Sequence, residues 1–269
     1  METLYQSDAV VQLIPTIQCE INIGKPVILL RLRGCNCKCD WCDSKYTWSN
    51  LEHKLTNEDV KAVIQISKDF PNIKRLLITG GEPLLYQHQE EFFDILNIKE
   101  FPFIEIETNG SLLTETDSFI DEIVSNHLTL NISPKLNVNF YKNQKDYDSF
   151  KVRFKNILDR LFCLYKWSVI VKLKFVYEKN TDFDIKYINK FIEEIDAVKS
   201  VGMDSIYIMS NTSIEILNKL KNGELESVYP KLIENDIETI KTCIEYGYSF
   251  SPRTHLMLFR DKNEMGSIL

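Results

Sequence analysis

The chain has 269 residues, with 32 Lys and Arg against 39 Asp and Glu, a net charge of −7. Hydrophobic residues make up 44% and charged residues 26%, which excludes disordered, collagenous and low-complexity chains. The acidic balance argues against a protein that coats nucleic acid, no apolar run approaches the ~20 residues of a membrane span, and Met1 to Val11 has no signal-peptide layout. A soluble cytoplasmic protein is therefore expected, with neither nucleic acid nor membrane as partner.

Val27 to Leu32 reads as a buried strand ending at Gly34, and a cysteine-rich loop follows. Thr56 is placed to cap a helix from Glu58 to Phe70, whose stripe is Val60, Val63, Ile64 and Ile66. Arg75 to Thr79 is the second strand, followed by a helix from Gln87 to Leu96. Phe103 to Glu107 alternates as a third strand; Glu105 and Glu107 share a face, with Glu105 expected toward solvent. A helix over Asp117 to Ser125 and a fourth strand over Leu128 to Ile132 come next. The polar stretch Asn137 to Asp148 reads as a loop, Phe150 to Tyr165 as a helix and Ser168 to Val176 as a fifth strand. A helix over Asp182 to Val198 and a sixth strand over Ser205 to Met209 follow. Helices over Ile214 to Lys221 and Tyr229 to Tyr246 and an apolar segment from His255 to Phe259 complete the series.

Strands alternating with helices imply βαβ units and a mostly parallel sheet. Six units are too few for an eight-fold closed barrel, so a partial barrel and a doubly wound sheet both remain open at this point. Gly34–Cys35, Thr79 to Pro83, Glu107 to Gly110 and Ser133–Pro134–Lys135 each follow a predicted strand. In parallel α/β architecture such strand ends share the face that carries the active site.

Of seven cysteines, four fall within eight residues, at Cys35, Cys37, Cys39 and Cys42. An odd count without a secretion signal speaks against a disulfide framework. Cys35, Cys39 and Cys42 form C-x3-C-x2-C, a spacing that lets three thiolates hold three corners of an iron–sulfur cube and leave the fourth iron open. A zinc site using all four thiols is the competing reading, and the alternation is expected to turn Cys37 away from the ligand set. Cys163 and Cys243 sit in apolar stretches and read as small core residues.

The C-x3-C-x2-C loop after a strand, with Gly80–Gly81–Glu82–Pro83 after the next, resembles the radical S-adenosylmethionine superfamily. Within it the chain is similar to the 7-carboxy-7-deazaguanine synthase family of queuosine biosynthesis. The similar segments are Pro15 to Glu20, Arg31 to Gly34, Trp41 to Trp48, Thr79 to Leu85, Glu107 to Gly110, Ser133 to Lys135, Lys174 to Val176 and Pro252 to His255. The resemblance implies an incomplete (β/α)6-type partial barrel, as a single domain over residues 1–269 whose terminal extensions close the site.

It also implies a lyase that converts 6-carboxy-5,6,7,8-tetrahydropterin to 7-carboxy-7-deazaguanine with loss of ammonia, using a 4Fe–4S cluster, S-adenosylmethionine and Mg2+. A flavodoxin- or ferredoxin-type reductant and a homodimer belong to that expectation. Hydrogen abstraction falls to the cofactor radical, so no side chain is assigned as catalytic. By the same resemblance Cys35, Cys39 and Cys42 hold the cluster and Ser44 the magnesium. Asp43, Gly81, Glu82, Asn109, Ser133, Pro134 and Lys135 bind the cofactor, with Glu82 taking the methionine ammonium. Ile17, Gln18, Cys19, Arg31 and Thr79 bind the substrate, with Arg31 clamping its carboxylate.

The chain departs from the family at Cys19, where a glycine is usual, at Cys37, at Met209–Ser210, where Met-Pro is common, and in the tail from Phe259 to Asp261. A glycyl-radical activase or a peptide-modifying enzyme on a related core is the alternative. Neither needs the Pro15 to Glu20 turn, Arg31 or Ser44.

Overall fold

The apolar runs form strands, and the strands form one open sheet. The computed structural model describes residues 4–49, 51–113, 128–136, 143–165 and 170–258. Among these residues eight strands lie side by side in chain order. They are β1 (Val10–Ile17), β2 (Pro26–Leu32), β3 (Arg75–Gly80), β4 (Phe103–Thr108), β5 (Thr129–Ile132), β6 (Ile170–Tyr177), β7 (Ile206–Ser210) and β8 (Ser249–Phe250). β1 runs antiparallel to β2, and every later pair is parallel. A doubly wound sheet reverses its strand order at a switch point. This order never reverses, and β1 and β8 stay apart as the two edges. The expected partial barrel is therefore the architecture: β2 to β8 are parallel, and the six longer strands β2 to β7 are the six that the sequence predicts.

Eight described helices accompany the sheet: α1 (Asn57–Asp69), α2 (Glu90–Leu96), α3 (Gln144–Tyr165), α4 (Ile185–Glu194), α5 (Ala197–Val201), α6 (Ile214–Lys221), α7 (Leu225–Tyr246) and α8 (His255–Leu258). Thr56 caps α1 in a capping box. Its hydroxyl accepts from the Asp59 amide at 3.3 Å, and the Asp59 carboxylate accepts from the Thr56 amide at 2.7 Å. No helix among the described residues is long and apolar enough to cross a membrane.

Successive side chains of a strand point to opposite faces of the sheet. One face is apolar: Ile28, Leu30 and Leu32 of β2, Leu76 and Ile78 of β3, and Ile104 and Ile106 of β4 join Val63 of α1, Phe92 of α2, Phe154 of α3 and Phe191 of α4 in the main core. Each fully buried side chain of this kind contributes roughly 1.5–3 kcal/mol. The opposite face carries Arg31, Thr79, Glu105, Glu107, Asn131 and Lys174. Five of these are buried and Glu107 is half-buried. There the apolar part shrinks to a small cluster of Ile14, Val27, Leu29 and Leu77.

Several expectations need correction. α3 starts at Gln144, inside the predicted loop, because Asn143 accepts the Asp146 amide at 3.0 Å while Tyr147 packs on the core. The polar residues there form the exposed side of a helix; 137–142 lie outside the described residues. β1 is absent from the periodicity reading because Pro15 interrupts it, and an edge strand with one partner tolerates proline. The segment after Arg253 is the short helix α8. Glu105 is 2% exposed and does not face solvent. The helix expected over Asp117 to Ser125 and the tail from Phe259 to Asp261 lie outside the described residues. Cys243 is in the core, and the side chain of Cys163 is likewise outside what is described.

Candidate active site

The carboxyl ends of the parallel strands surround one cavity. β2 runs into the cysteine loop, β3 ends at Gly80–Gly81, β4 at Thr108–Asn109, and β5 leads to Ser133 and Lys135; all of these line the cavity. Residues Thr16 to Glu20, at the end of β1 and just beyond it, and Arg253 and His255, after β8, complete the wall.

The cysteine loop is held by backbone contacts at its root. The Gly34 amide donates to the Thr47 carbonyl at 2.8 Å, the Gly81 amide to the Leu32 carbonyl at 3.0 Å, and the Glu82 amide to the Gly34 carbonyl at 2.8 Å. The glycine pair permits this approach. A Cβ on Gly80 would lie 2.1 Å from the Leu32 carbonyl oxygen, and one on Gly81 only 1.8 Å from that of Gly34. Gly81 is thus a spacer that lets β3 meet the loop, as well as part of the cavity wall.

Cys35, Cys39 and Cys42 all line the cavity. So does Cys37, which is 6% exposed; its amide donates to the Cys35 thiol at 3.4 Å. The expectation that Cys37 turns away rested on strand-like alternation, and the loop is irregular there. No group of three or more His, Cys, Asp or Glu among the described residues converges on one ion. A cluster needs no such convergence, because each thiolate meets a separate iron. Three thiols from one loop on one cavity wall are a donor set of that kind. Burial pushes the Cys35 thiol up to about 11, so metal binding must displace its proton. Lys135, which donates to Ser133 Oγ at 3.3 Å, is near enough to favour the Cys39 and Cys42 thiolates.

Glu82 requires a correction. It is fully buried and is absent from the cavity wall. Its Oε1 accepts from the Leu84 amide at 3.0 Å and the Thr108 hydroxyl at 2.6 Å, and its Oε2 accepts from the Asn109 amide at 2.7 Å. It caps the short 3-10 turn Pro83–Tyr86 and ties the end of β3 to the end of β4, so its carboxylate is engaged behind the wall. Burial pushes its carboxyl above the usual carboxylate range, against those three donors. Pro134 is buried and also does not line the cavity. Asn109 does line it, with its amide donating to Asn36 Oδ1 at 2.9 Å.

Away from the cysteines the wall sets a connected group of polar residues among apolar ones such as Leu29, Leu77 and Met209. Arg31 donates from Nε to Gln12 Oε1 and from Nη1 to Ser44 Oγ, both at 3.2 Å; Ser44 in turn donates to Asp43 Oδ1 at 2.9 Å. Burial opposes the Asp43 charge, yet Arg253, His255, the Ser44 hydroxyl and Arg31 together hold its carboxyl down at about 2. Asp43 and Ser44 are hard oxygen donors side by side, the chemistry that magnesium requires.

Thr79 donates to Glu107 Oε2 at 2.8 Å, and Lys174 pairs with Glu20 and lies 3.8 Å from Glu107. Burial raises Glu107 despite Lys174, whereas Lys174 and His255 overcome burial at Glu20 and hold it low. Gln18 is 2% exposed, while Ile17 is exposed at the rim. The Cys19 thiol donates to the Ile17 carbonyl at 3.1 Å and lines the cavity. Glu20, Glu107, Asn131 and Lys174 had no role in the sequence reading. The signal for the last three was a polar residue on the face of a strand opposite its apolar positions.

The sequence profile of the Radical SAM superfamily matches residues 29–159. The 7-carboxy-7-deazaguanine synthase of Bacillus subtilis is 26% identical over 262 residues, covering 92% of this chain and 94% of that protein. That of Clostridium acetobutylicum is 34% identical over 96 residues, 35% of this chain and 42% of that protein. The chain spans about half the length of the curated relatives it matches at 33–34% identity. The crystal structure of QueE from Escherichia coli shares the fold, with a TM-score of 0.53 at 19% identity over 92% of this chain and 94% of that one. Over residues 29–159, which include the cysteine loop, the chain matches the Radical SAM superfamily profile, and over most of its length it is similar to the 7-carboxy-7-deazaguanine synthases.

Proposed function

We propose that the chain converts 6-carboxy-5,6,7,8-tetrahydropterin to 7-carboxy-7-deazaguanine with loss of ammonia, as a step of 7-deazapurine and queuosine biosynthesis. The observation that carries this reading is that one cavity joins the three cysteines of the loop to Gln18, Arg31, Ser44 and Thr79. When bound, the 4Fe–4S cluster and S-adenosylmethionine supply the radical that abstracts a substrate hydrogen. Cys35, Cys39 and Cys42 hold the cluster. Gly81, Asn109, Ser133 and Lys135 border the space for the cofactor, with Asp43 at its edge. Glu82 and Pro134 support that wall from behind.

On the substrate side, Arg31 offers a planar cation to the carboxylate. Ser44, beside Asp43, offers an oxygen to magnesium. Gln18 and Thr79 meet the ring, Ile17 covers it at the rim, and Cys19 narrows the turn where a glycine is usual. A flavodoxin- or ferredoxin-type reductant, a homodimer and a cytoplasmic setting complete the reading. The test is anaerobic incubation of the cluster-loaded protein with S-adenosylmethionine, dithionite, Mg2+ and the carboxytetrahydropterin. The expected result is a product lighter than the substrate by the mass of one ammonia. 5′-Deoxyadenosine without that product overturns the substrate and leaves the radical chemistry.

A further inference from the structure

Two amides on the cavity wall have only one end satisfied. Gln18 and Asn131 both line the cavity and are 2% and 1% exposed. Their nitrogens donate to the same atom, Glu105 Oε2, at 3.0 and 3.1 Å. Their oxygens, Gln18 Oε1 and Asn131 Oδ1, are buried and have no hydrogen-bond partner among the described residues. A buried polar atom without a partner is costly, so native structures rarely keep one away from ligand or water.

Glu105 decides which end of each amide is left over. An ionised carboxylate accepts and never donates, so any amide bonded to it must present its nitrogen. Glu105 is not on the cavity wall, and both of its oxygens are engaged: Oε2 also accepts from Asn22 at 2.7 Å, and Oε1 from Arg75 at 3.3 Å. Because both amides share one acceptor atom, they lie side by side and their polarity is set together.

We infer that Glu105 is a positioning residue that fixes Gln18 and Asn131 as a pair of acceptors, and that this pair selects a ligand edge carrying adjacent N–H donors. Asn131 is thereby a recognition residue beside Gln18. On the proposed reading, that edge is the 2-amino group and N3–H of the pterin. An analogue with an acceptor at the 2-position sets oxygen against oxygen. A site built to hydrogen-bond rejects such an analogue far more strongly than an apolar pocket rejects a changed shape.

The test is equilibrium binding to the cluster-loaded protein without reductant, so that no turnover occurs. The two probes are 6-carboxypterin and 6-carboxylumazine, which keeps N3–H but replaces the amino donor by an oxo acceptor. The wild-type chain is expected to prefer the pterin by about tenfold or more. Glu105→Gln, whose amide can also donate, frees both wall amides to turn, and the preference falls below about threefold. Glu105→Asp keeps the carboxylate and restores part of it. Asn131→Ala, which leaves Glu105 intact, also reduces the preference. Equal binding of both probes to the wild type overturns the acceptor pair, and an undiminished preference in a Glu105→Gln protein that holds its cluster overturns the role of Glu105. Binding of neither probe overturns the pterin reading itself, and this inference with it.

Discussion

The two faces of this sheet are made from alternate residues of the same strands, and they are built on opposite principles. On β4, Ile104 and Ile106 enter the main core beneath the helices, while Glu105 and Glu107 point to the other side among Gln18, Asn131, Thr79 and Lys174. On β2, Leu30 and Leu32 are fully buried in the core, and Arg31 between them lines the cavity. The helix face gains stability by area, without direction. The cavity face holds charges and amides that are costly to bury, and each is tied to partners from other strands. A face that satisfies its own polar groups incompletely is suited to a ligand, and the atoms left over describe what that ligand must present.

Four sets of substitutions can break or sharpen the contrast. The largest effect is expected from the loop that closes the cavity. Cys35→Ala, Cys39→Ala and Cys42→Ala should each lose the cluster, whereas Cys37→Ala should keep it, as read by iron and sulfide analysis of anaerobically reconstituted protein. Iron loss from Cys37→Ala with retention by Cys39→Ala would overturn the ligand register.

Next is the helix face. Ile106→Ala should cost roughly 2–5 kcal/mol in urea unfolding, because it leaves a cavity in packed core. A loss below about 1 kcal/mol would show that this face is not close-packed.

The matching change on the cavity face is Arg31→Met, which keeps volume and removes charge. It should weaken carboxypterin binding by roughly 2–5 kcal/mol while leaving S-adenosylmethionine binding near normal. If the variant binds carboxypterin normally and unfolds as easily as Ile106→Ala, Arg31 is a structural residue and the contrast between the faces fails at β2.

The smallest effect is expected from Ser44→Ala. Magnesium activation of turnover should weaken, with cleavage of S-adenosylmethionine retained, since the proposed role of the hydroxyl is to hold the cation and not the cluster. Equal magnesium activation in variant and wild type would remove Ser44 from the metal assignment.

Much of this architecture is visible in the amino-acid sequence because the physics involved is local. Strand alternation, the Thr56 capping box and the glycine pair after β3 each involve residues close in the chain, so their spacing carries their geometry. The same holds for the three cysteines at C-x3-C-x2-C, which reach one cavity because they share one loop. What the tertiary structure alone decided is which polar groups are already satisfied. Glu82 looks available for a ligand in sequence, yet Thr108 and Asn109, from a different strand end, occupy its carboxylate. Glu105 looks like an exposed strand residue until Gln18 and Asn22, from the connection between β1 and β2, and Asn131, from β5, converge on it. A buried hydrogen bond is set by distance and direction within tenths of an ångström between groups far apart in the chain. No pattern in one segment records where the other partner will be.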